Sequence, residues 1–240
     1  MTTLCLFLTL SAGMGGSARV LQAPLPFGSL RQQLTLEYIR QHYDPAAKDI
    51  LIHPRMIVIH WTGSSSLKSL LATFEPDELP PGRPELVRGG RVNVSTHYAV
   101  DRDGTIYQLM PKLWMARHTI GLNRVALGIE NVGGPDTALT EAQLSSCAWL
   151  TRKLVKECPD IEYLIGHFEY LQFKGTPLWE ERNSEYLTQK PDPAAEFMSR
   201  LRERLKDLPL RNSYHPYALQ DPYHGRHSGE TNAPLKFATQ

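Results

Sequence analysis

Two histidines and an aspartate stand at points in the sequence where their side chains could bind one metal ion. His60 follows the apolar run Met56 to Ile59, His167 follows Leu164-Ile165-Gly166, and Asp192 lies in Lys190-Pro191-Asp192-Pro193. A catalytic zinc site uses three imidazole, thiolate or carboxylate ligands and leaves a fourth position for water. Two histidines and one aspartate meet that count. We therefore predict that His60, His167 and Asp192 bind one Zn²⁺ ion.

A glutamate closes another apolar run. Ala126-Leu127-Gly128-Ile129 precedes Glu130. An unpaired carboxylate at the end of a buried strand costs free energy, so a glutamate at this position must have either a compensating partner or a function. Glu130 either has a structural partner, such as a cation or a backbone group, or it acts as a catalytic base beside a metal. The residues alone leave both interpretations open.

The elements that must position these side chains alternate between strands and helices. Short β-branched runs predict buried strands at 56–59, 126–130 and 163–167. A hairpin is predicted over 94–109, with its turn at Asp101-Arg102-Asp103-Gly104. This alternation predicts an α/β (α+β) fold with a central mixed β-sheet flanked by helices.

Helix boundaries are predicted from capping residues and from apolar spacing. The predicted helices run from a Thr35 cap to Tyr43, from Ser65 to Phe74, from the capping box at Thr140 to Cys158, and from Asp192 as N-cap to Leu208. The segment 75–90 is rich in Pro, Gly and charge and is predicted to be a long surface loop.

Composition narrows the function classes. The chain has 240 residues, 41% of them hydrophobic, which is enough for one sizeable core. The formal charge is +1 with scattered Lys and Arg, so we expect no nucleic-acid partner. On one helix, Cys147 and Cys158 would lie about 16 Å apart, too far for a disulfide, and are predicted to be core residues.

Several of these motifs, in their order along the chain, resemble the zinc-dependent N-acetylmuramoyl-L-alanine amidases, which share their fold with peptidoglycan recognition proteins. The resemblance covers about 55–208. It rests on Ile59-His60-Trp61-Thr62, His97-Tyr98 with Asp103-Gly104, Asn123 through Gly128-Ile129-Glu130, Gly166-His167 and Lys190-Pro191-Asp192-Pro193.

The resemblance implies a role for each matched residue. His60, His167 and Asp192 match the zinc ligands, Glu130 matches the acid that accepts the proton of the attacking water, and Lys190 matches the cation that stabilises the oxyanion. The bond cleaved would join N-acetylmuramic acid to L-alanine in peptidoglycan or muropeptides.

Three further residues are candidates for the substrate side of the site. They are His97, His118 and Asn123, and a structural hydrogen bond is the alternative for each. A binding module of the same fold, without catalysis, is the alternative function. A serine hydrolase is disfavoured because the sequence has no Gly-x-Ser-x-Gly motif.

The expected organisation has four parts. Residues 1–18 resemble a signal peptide, 19–54 are an N-terminal extension, 55–208 form the zinc amidase domain, and 209–240 are a poorly ordered tail. The apolar core of the leader is too short to span a bilayer, so no stable membrane insertion is expected. We expect the protein in the periplasm or the secreted cell envelope, and we expect a monomer. The alternative interpretation of the leader is an apolar arm on a cytoplasmic protein.

Overall fold

A mixed six-stranded sheet with helices packed against it forms the centre of the molecule, in a computed structural model that describes residues 19–214. The strand order is β1-β4-β3-β5-β2-β6. The strands are β1 Val20–Gln22, β2 Met56–Trp61, β3 Tyr98–Val100, β4 Ile106–Gln108, β5 Ala126–Asn131 and β6 Tyr163–Gly166. The helices are α1 Ser29–His42, α2 Leu67–Phe74, α3 Pro84–Val87, α4 Glu141–Glu157 and α5 Ala195–Arg204, with a 3-10 helix at His167–Phe173. The predicted fold class is confirmed.

The central strand β2 lies between β5 and β6 and is parallel to both. Residues 56–59 are fully buried, as expected for a strand that is covered on both faces. The register places His60 opposite Glu130 and Ile59 opposite Gly166. Because the three strands are parallel, their carboxyl ends meet at one edge of the sheet. His60, Glu130 and His167 therefore come together from three separate parts of the sequence.

The predicted hairpin is present. β3 and β4 pair antiparallel, with Tyr98 opposite Gln108. Gly104 in the turn has a φ of +88°, and a Cβ atom there would lie 3.0 Å from the Ala142 carbonyl oxygen. Both the conformation and the close packing against α4 require glycine at this position.

The capping box at the start of α4 is also present. Thr140 Oγ1 accepts a hydrogen bond from the Gln143 amide, and Gln143 Oε1 accepts one from the Thr140 amide. Gln143 also donates to the Val132 carbonyl, which joins the helix to the sheet. Cys147 is buried and Cys158 is half-buried against the core, and neither forms a disulfide.

The predicted start of α1 was wrong. The helix begins at Ser29 and not after Thr35, whose hydroxyl donates to the Arg31 carbonyl inside the helix. The helix includes the turn before Thr35 because the buried Arg31 side chain in that turn donates to the distant Phe74 carbonyl at 2.6 Å. Strand β1 and helix α1 belong to the same core as the rest of the domain. The segment 19–54 is thus packed into the fold.

The segment 75–90 was predicted to be a surface loop without regular structure. It contains the single-turn helix α3, and Leu86 within it is buried. The Arg117 guanidinium donates to the Leu86 carbonyl and thereby ties this turn to the core. Local apolar spacing cannot predict a turn that is held by one remote side chain.

Asp192 does not cap a helix, contrary to the prediction. α5 begins at Ala195 with Ala194 as its N-cap, and no side chain caps it. The Asp192 carboxylate instead lies between His60 and His167. The helix also ends at Arg204, four residues before the predicted end.

The two ends of the chain were predicted to be a leader and a tail. Residues 1–18 lie outside the described part, as do residues 215–240 of the tail. Residues 209–214 pack on the domain, where the Leu164 amide donates to the Arg211 carbonyl. Within 19–214, no helix is both long and apolar enough to cross a membrane.

Candidate active site

Three possible ligand atoms meet at the carboxyl edge of the sheet. His60 Nδ1 lies 2.9 Å from His167 Nδ1, and each of these nitrogens lies 3.2 Å from Asp192 Oδ2. All three residues are buried. The Phe168 amide donates to the Asp192 carbonyl at 2.8 Å, so the chain after β6 is bonded directly to the aspartate. The predicted ligand residues are therefore adjacent in space.

The spacing of these atoms fits a tetrahedral zinc ion. Two ligands about 2.0–2.1 Å from zinc at the tetrahedral angle are about 3.3 Å apart. Without a cation, two imidazole nitrogens would face each other across 2.9 Å and need a proton between them. Two nitrogens and one carboxylate oxygen also form a donor set that suits zinc and leaves a fourth position open.

The protonation states at this cluster also suit a metal. Burial, and then the neighbouring His60, lower the pKa of His167 to about 4, so the ring is neutral at pH 7. Burial acts to raise the pKa of Asp192, but hydrogen bonds with His167 and His60 outweigh it and hold that pKa well below its usual range. Metal ligation requires a neutral imidazole and an ionised carboxylate.

Glu130 lies beside this cluster with a free carboxylate oxygen. Its Oε2 is buried and has no hydrogen-bond partner among residues 19–214. Burial, and then the charge of Asp192, raise the pKa of Glu130 well above its usual range, whereas Lys190 and Arg83 act to lower it. A carboxylate with a buried, unpartnered oxygen in a cavity is typical of a group that transfers protons.

Lys190 supplies a positive charge to the same cavity. Burial, and then the charge of Arg83, lower its pKa from the usual value. Within the described chain, no side chain or carbonyl accepts a hydrogen bond from its ammonium group. A cation without a fixed partner is free to bind a developing negative charge on a substrate.

These side chains line one cavity of about 250 Å³. We call His60, Glu130 and His167, at the strand ends, the floor of the cavity. We call the lining segments 83–95 and 186–190 its walls. The cavity is open to solvent and combines a possible metal centre, a carboxylate and a cation.

A comparison with protein families matches residues 51–195 to the family described as N-acetylmuramoyl-L-alanine amidase. The chain belongs to this family. It is accordingly a hydrolase of the N-acetylmuramoyl-L-alanine amidase class, and peptidoglycan is the substrate consistent with the family. The resemblance inferred from the sequence motifs is confirmed.

Solved structures support the fold of this amidase. The N-acetylmuramoyl-L-alanine amidase LysC from Clostridium intestinale URNW aligns with a TM-score of 0.51 and 19% identity, covering 79% of this chain and 99% of its own. The endolysin amidase LysCS from the same organism also gives 0.51 and 19%, covering 78% and 95%. At this identity the likeness concerns the fold alone. A search of curated proteins gave no match.

In this amidase His97, a candidate for the substrate side of the site, has a backbone partner at each ring nitrogen. The ring is fully buried, its Nδ1 accepts from the Gly128 amide at 3.0 Å, and its Nε2 lies 2.9 Å from the Trp114 carbonyl. Burial lowers its pKa to about 4. Both ring nitrogens thus contact backbone groups, as the structural alternative expects, and a substrate-side role of His97 stays a prediction.

Asn123 and His118 both line the cavity, but their polar groups bond mainly to protein atoms. Asn123 Oδ1 accepts from the amides of His118 and Thr119, and its Nδ2 donates to the Tyr43 hydroxyl. His118 Nδ1 lies 3.1 Å from His60 Nε2. The structure thus places His118 against the proposed ligand His60 and Asn123 against the backbone of His118, and a direct substrate contact stays a prediction for both.

Sequence reasoning missed the residues that hold the cavity walls of this amidase. Arg117 is buried and donates to the carbonyls of Leu86, Gly90 and Val92 in one wall and to the Tyr186 hydroxyl in the other. These partners are 25 to 69 residues away in sequence. No local pattern indicates such contacts, and only the buried position of a charged side chain reveals them.

Proposed function

We propose that this amidase is zinc-dependent and cleaves the amide bond between the lactyl group of N-acetylmuramic acid and L-alanine, in peptidoglycan or in muropeptides. The observation that supports it most is the convergence of His60 Nδ1, His167 Nδ1 and Asp192 Oδ2 in the cavity that also holds the free carboxylate oxygen of Glu130.

His60, His167 and Asp192 would hold the zinc ion. When bound, zinc supplies Lewis acidity, which polarises a carbonyl group and makes water more acidic. The protein contributes a rigid set of ligands, since two of them lie at the ends of buried parallel strands and the third is bonded to Phe168. Pre-positioned ligands avoid an ordering cost at the moment of binding.

Glu130 would act as the general base. It accepts a proton from the attacking water while the new C–O bond forms, and it then passes that proton to the nitrogen of the alanine as the C–N bond breaks. A general base of this kind contributes roughly 10²–10⁴-fold in rate. Its location opposite His60 in the β2–β5 register keeps it beside the reacting groups.

Lys190 would stabilise the negative charge that develops on the carbonyl oxygen. Lys190 lines the cavity, and its ammonium group has no hydrogen-bond acceptor in the described chain. A donor that binds a developing oxyanion is worth about 3–4 kcal/mol in the transition state.

The central experiment uses purified protein and one defined muropeptide. We expect about one zinc per chain, hydrolysis that stops with a chelator and returns with added Zn²⁺, and products whose masses correspond to the free sugar and the free peptide. Cleavage at another bond would contradict the proposed substrate bond. Binding of peptidoglycan fragments without any cleavage would favour the binding-module alternative.

We further propose that the chain acts as a monomer in the periplasm or the secreted cell envelope, after removal of residues 1–18. In this proposal 55–208 are the catalytic domain, 19–54 an extension that supports it, and 209–240 a tail. Cell fractionation with N-terminal sequencing of the mature protein tests the leader, and light scattering tests the monomer. An intact N-terminus in the cytoplasmic fraction would favour the apolar-arm alternative.

A further inference from the structure

His60 has contacts on both sides of its ring, and only one side faces the proposed metal site. Its Nε2 lies 3.1 Å from His118 Nδ1 and 3.5 Å from Thr119 Oγ1. On the far side of the His118 ring, Nε2 lies 3.3 Å from the Ala126 carbonyl oxygen. The two imidazoles thus form a chain that runs from a backbone carbonyl of β5 to the metal site.

The direction of this chain follows from its fixed end. A carbonyl oxygen only accepts, so His118 must carry its proton on Nε2 and donate it to Ala126. The neutral His118 ring then has one lone pair on Nδ1, which the Thr119 hydroxyl at 2.8 Å and His60 Nε2 at 3.1 Å share, because two unprotonated nitrogens would repel each other at 3.1 Å. His60 must therefore carry its proton on Nε2, which leaves the Nδ1 lone pair free.

We propose that His118 is a positioning residue that fixes the tautomer and ring orientation of His60, so that His60 Nδ1 is available to a metal ion. The inference rests on the proposed function, because it assigns a role toward the zinc that His60 would bind. Metal-binding histidines commonly donate their second ring N–H to an acceptor that orients them. Here the acceptor is another imidazole, and its own orientation is set by the sheet.

The surroundings of His118 hold its ring in one place. The amides of His118 and Thr119 both donate to Asn123 Oδ1, at 2.9 and 2.7 Å. The ring packs over Gly128, where a Cβ atom would lie 3.0 Å from His118 Nδ1 and 2.6 Å from Thr96 Oγ1. Asn123 and Gly128, which also belong to the motifs of the family resemblance, therefore position the acceptor of His60.

The test compares two variants at His118. In His118→Phe the ring volume is retained but the acceptor is lost, whereas in His118→Asn the side-chain oxygen can occupy the position of Nδ1. We expect His118→Phe to bind Zn²⁺ about 10–100-fold more weakly than the wild type, and His118→Asn to stay within about threefold. Affinity is measured on metal-free protein by competition with a chromophoric chelator, with circular dichroism to verify the fold.

A matched pair of threonine variants separates this effect from a general loss of packing. Thr119→Val removes the hydroxyl that bonds to His118, and Thr151→Val removes a buried hydroxyl that has no hydrogen-bond partner within 19–214 and lies on α4. We expect only Thr119→Val to weaken Zn²⁺ binding, by several-fold. The Co²⁺-substituted protein should show an altered visible spectrum in His118→Phe and an unaltered one in Thr151→Val.

Imidazole ¹⁵N shifts of the zinc-loaded wild type give a readout that needs no variant. We expect His118 to be protonated at Nε2 and unprotonated at Nδ1. A proton on His118 Nδ1, or wild-type Zn²⁺ affinity in a folded His118→Phe, would overturn the inference. Should the wild type itself bind no zinc, the proposed function fails first, so the two failures are distinguishable.

Discussion

The floor and the walls of the cavity are built in different ways. The floor lies at the ends of three parallel strands, where backbone hydrogen bonds on both sides of β2 fix each residue in register. The walls are mostly irregular, apart from the single turn of α3, and depend on individual side chains, above all Arg117 and the contact of His42 with the Gly89 carbonyl at 2.6 Å. We infer that the floor determines the chemistry and the walls determine which substrate enters.

The sharpest test of the floor is His60→Ala. Loss of one of three proposed ligands should remove the bound metal and lower kcat/KM on the order of 10⁴-fold. Metal content by mass spectrometry and hydrolysis of a defined muropeptide are measured on the same sample. Full activity in a metal-free variant would show that the floor does not work through a metal.

Glu130→Gln should separate the base from the ligands. The amide keeps the size of the side chain but cannot accept the proton, so we expect kcat to fall about 10²–10⁴-fold with zinc content unchanged. Glu180→Gln is the matched control, since burial also raises the pKa of Glu180 but this residue does not line the cavity and pairs with Arg124. Equal losses in both variants would argue against a special role for Glu130.

Lys190→Met should lower kcat about 10²–10³-fold and also change its pH dependence. The positive charge of Lys190 lowers the pKa of Glu130, so its removal raises that pKa further. The acidic limb of the kcat/KM profile should therefore move to higher pH. Lys190→Arg, which keeps the charge, should leave the limb close to its original place. If the acidic limb of the kcat/KM profile stays at the same pH in Lys190→Met, then Lys190 does not influence the carboxylate that titrates there.

The smallest effect on catalysis is expected from the walls. Arg117→Met leaves the carbonyls of Gly90 and Val92 without a donor in the described chain and removes one of the donors to the Leu86 carbonyl, which should cost about 3 kcal/mol of the free energy of unfolding. We expect KM to rise on the order of tenfold while zinc content stays constant. Arg55→Met is the control, because Arg55 pairs with Glu162 at the opposite edge of the sheet. A loss of zinc in Arg117→Met would mean that walls and floor are not separable.

The same contrast explains what could be predicted from the sequence. The floor was predictable because each strand is a local apolar run and His60, Glu130 and His167 stand at its end. Asp192 was correctly predicted to lie near the two histidines, but its predicted role as a helix cap was wrong. A carboxylate before a proline fits a helix cap as well, so the local sequence does not distinguish the two positions. The start of α1 and the turn at α3 depend on Arg31 and Arg117, whose partners are far away in sequence. Patterns within a short window contain no information on such pairs.

The hydrogen bond from the Phe168 amide to the Asp192 carbonyl has a consequence for how this scaffold could be re-engineered. This bond joins the two ends of the loop between Phe168 and Asp192, so the loop is closed at its base. Lengthening a closed loop costs little, about 0.6 kcal/mol for each doubling of its length. Within the excursion 169–191, the exposed stretch 182–185 can therefore exchange sequence and size, whereas Tyr170 and Phe173 are buried in the core and the Tyr170 ring lies 5.4 Å from that of His167. The stretch 182–185 offers a natural place to graft a new recognition surface onto an unchanged hydrolytic centre.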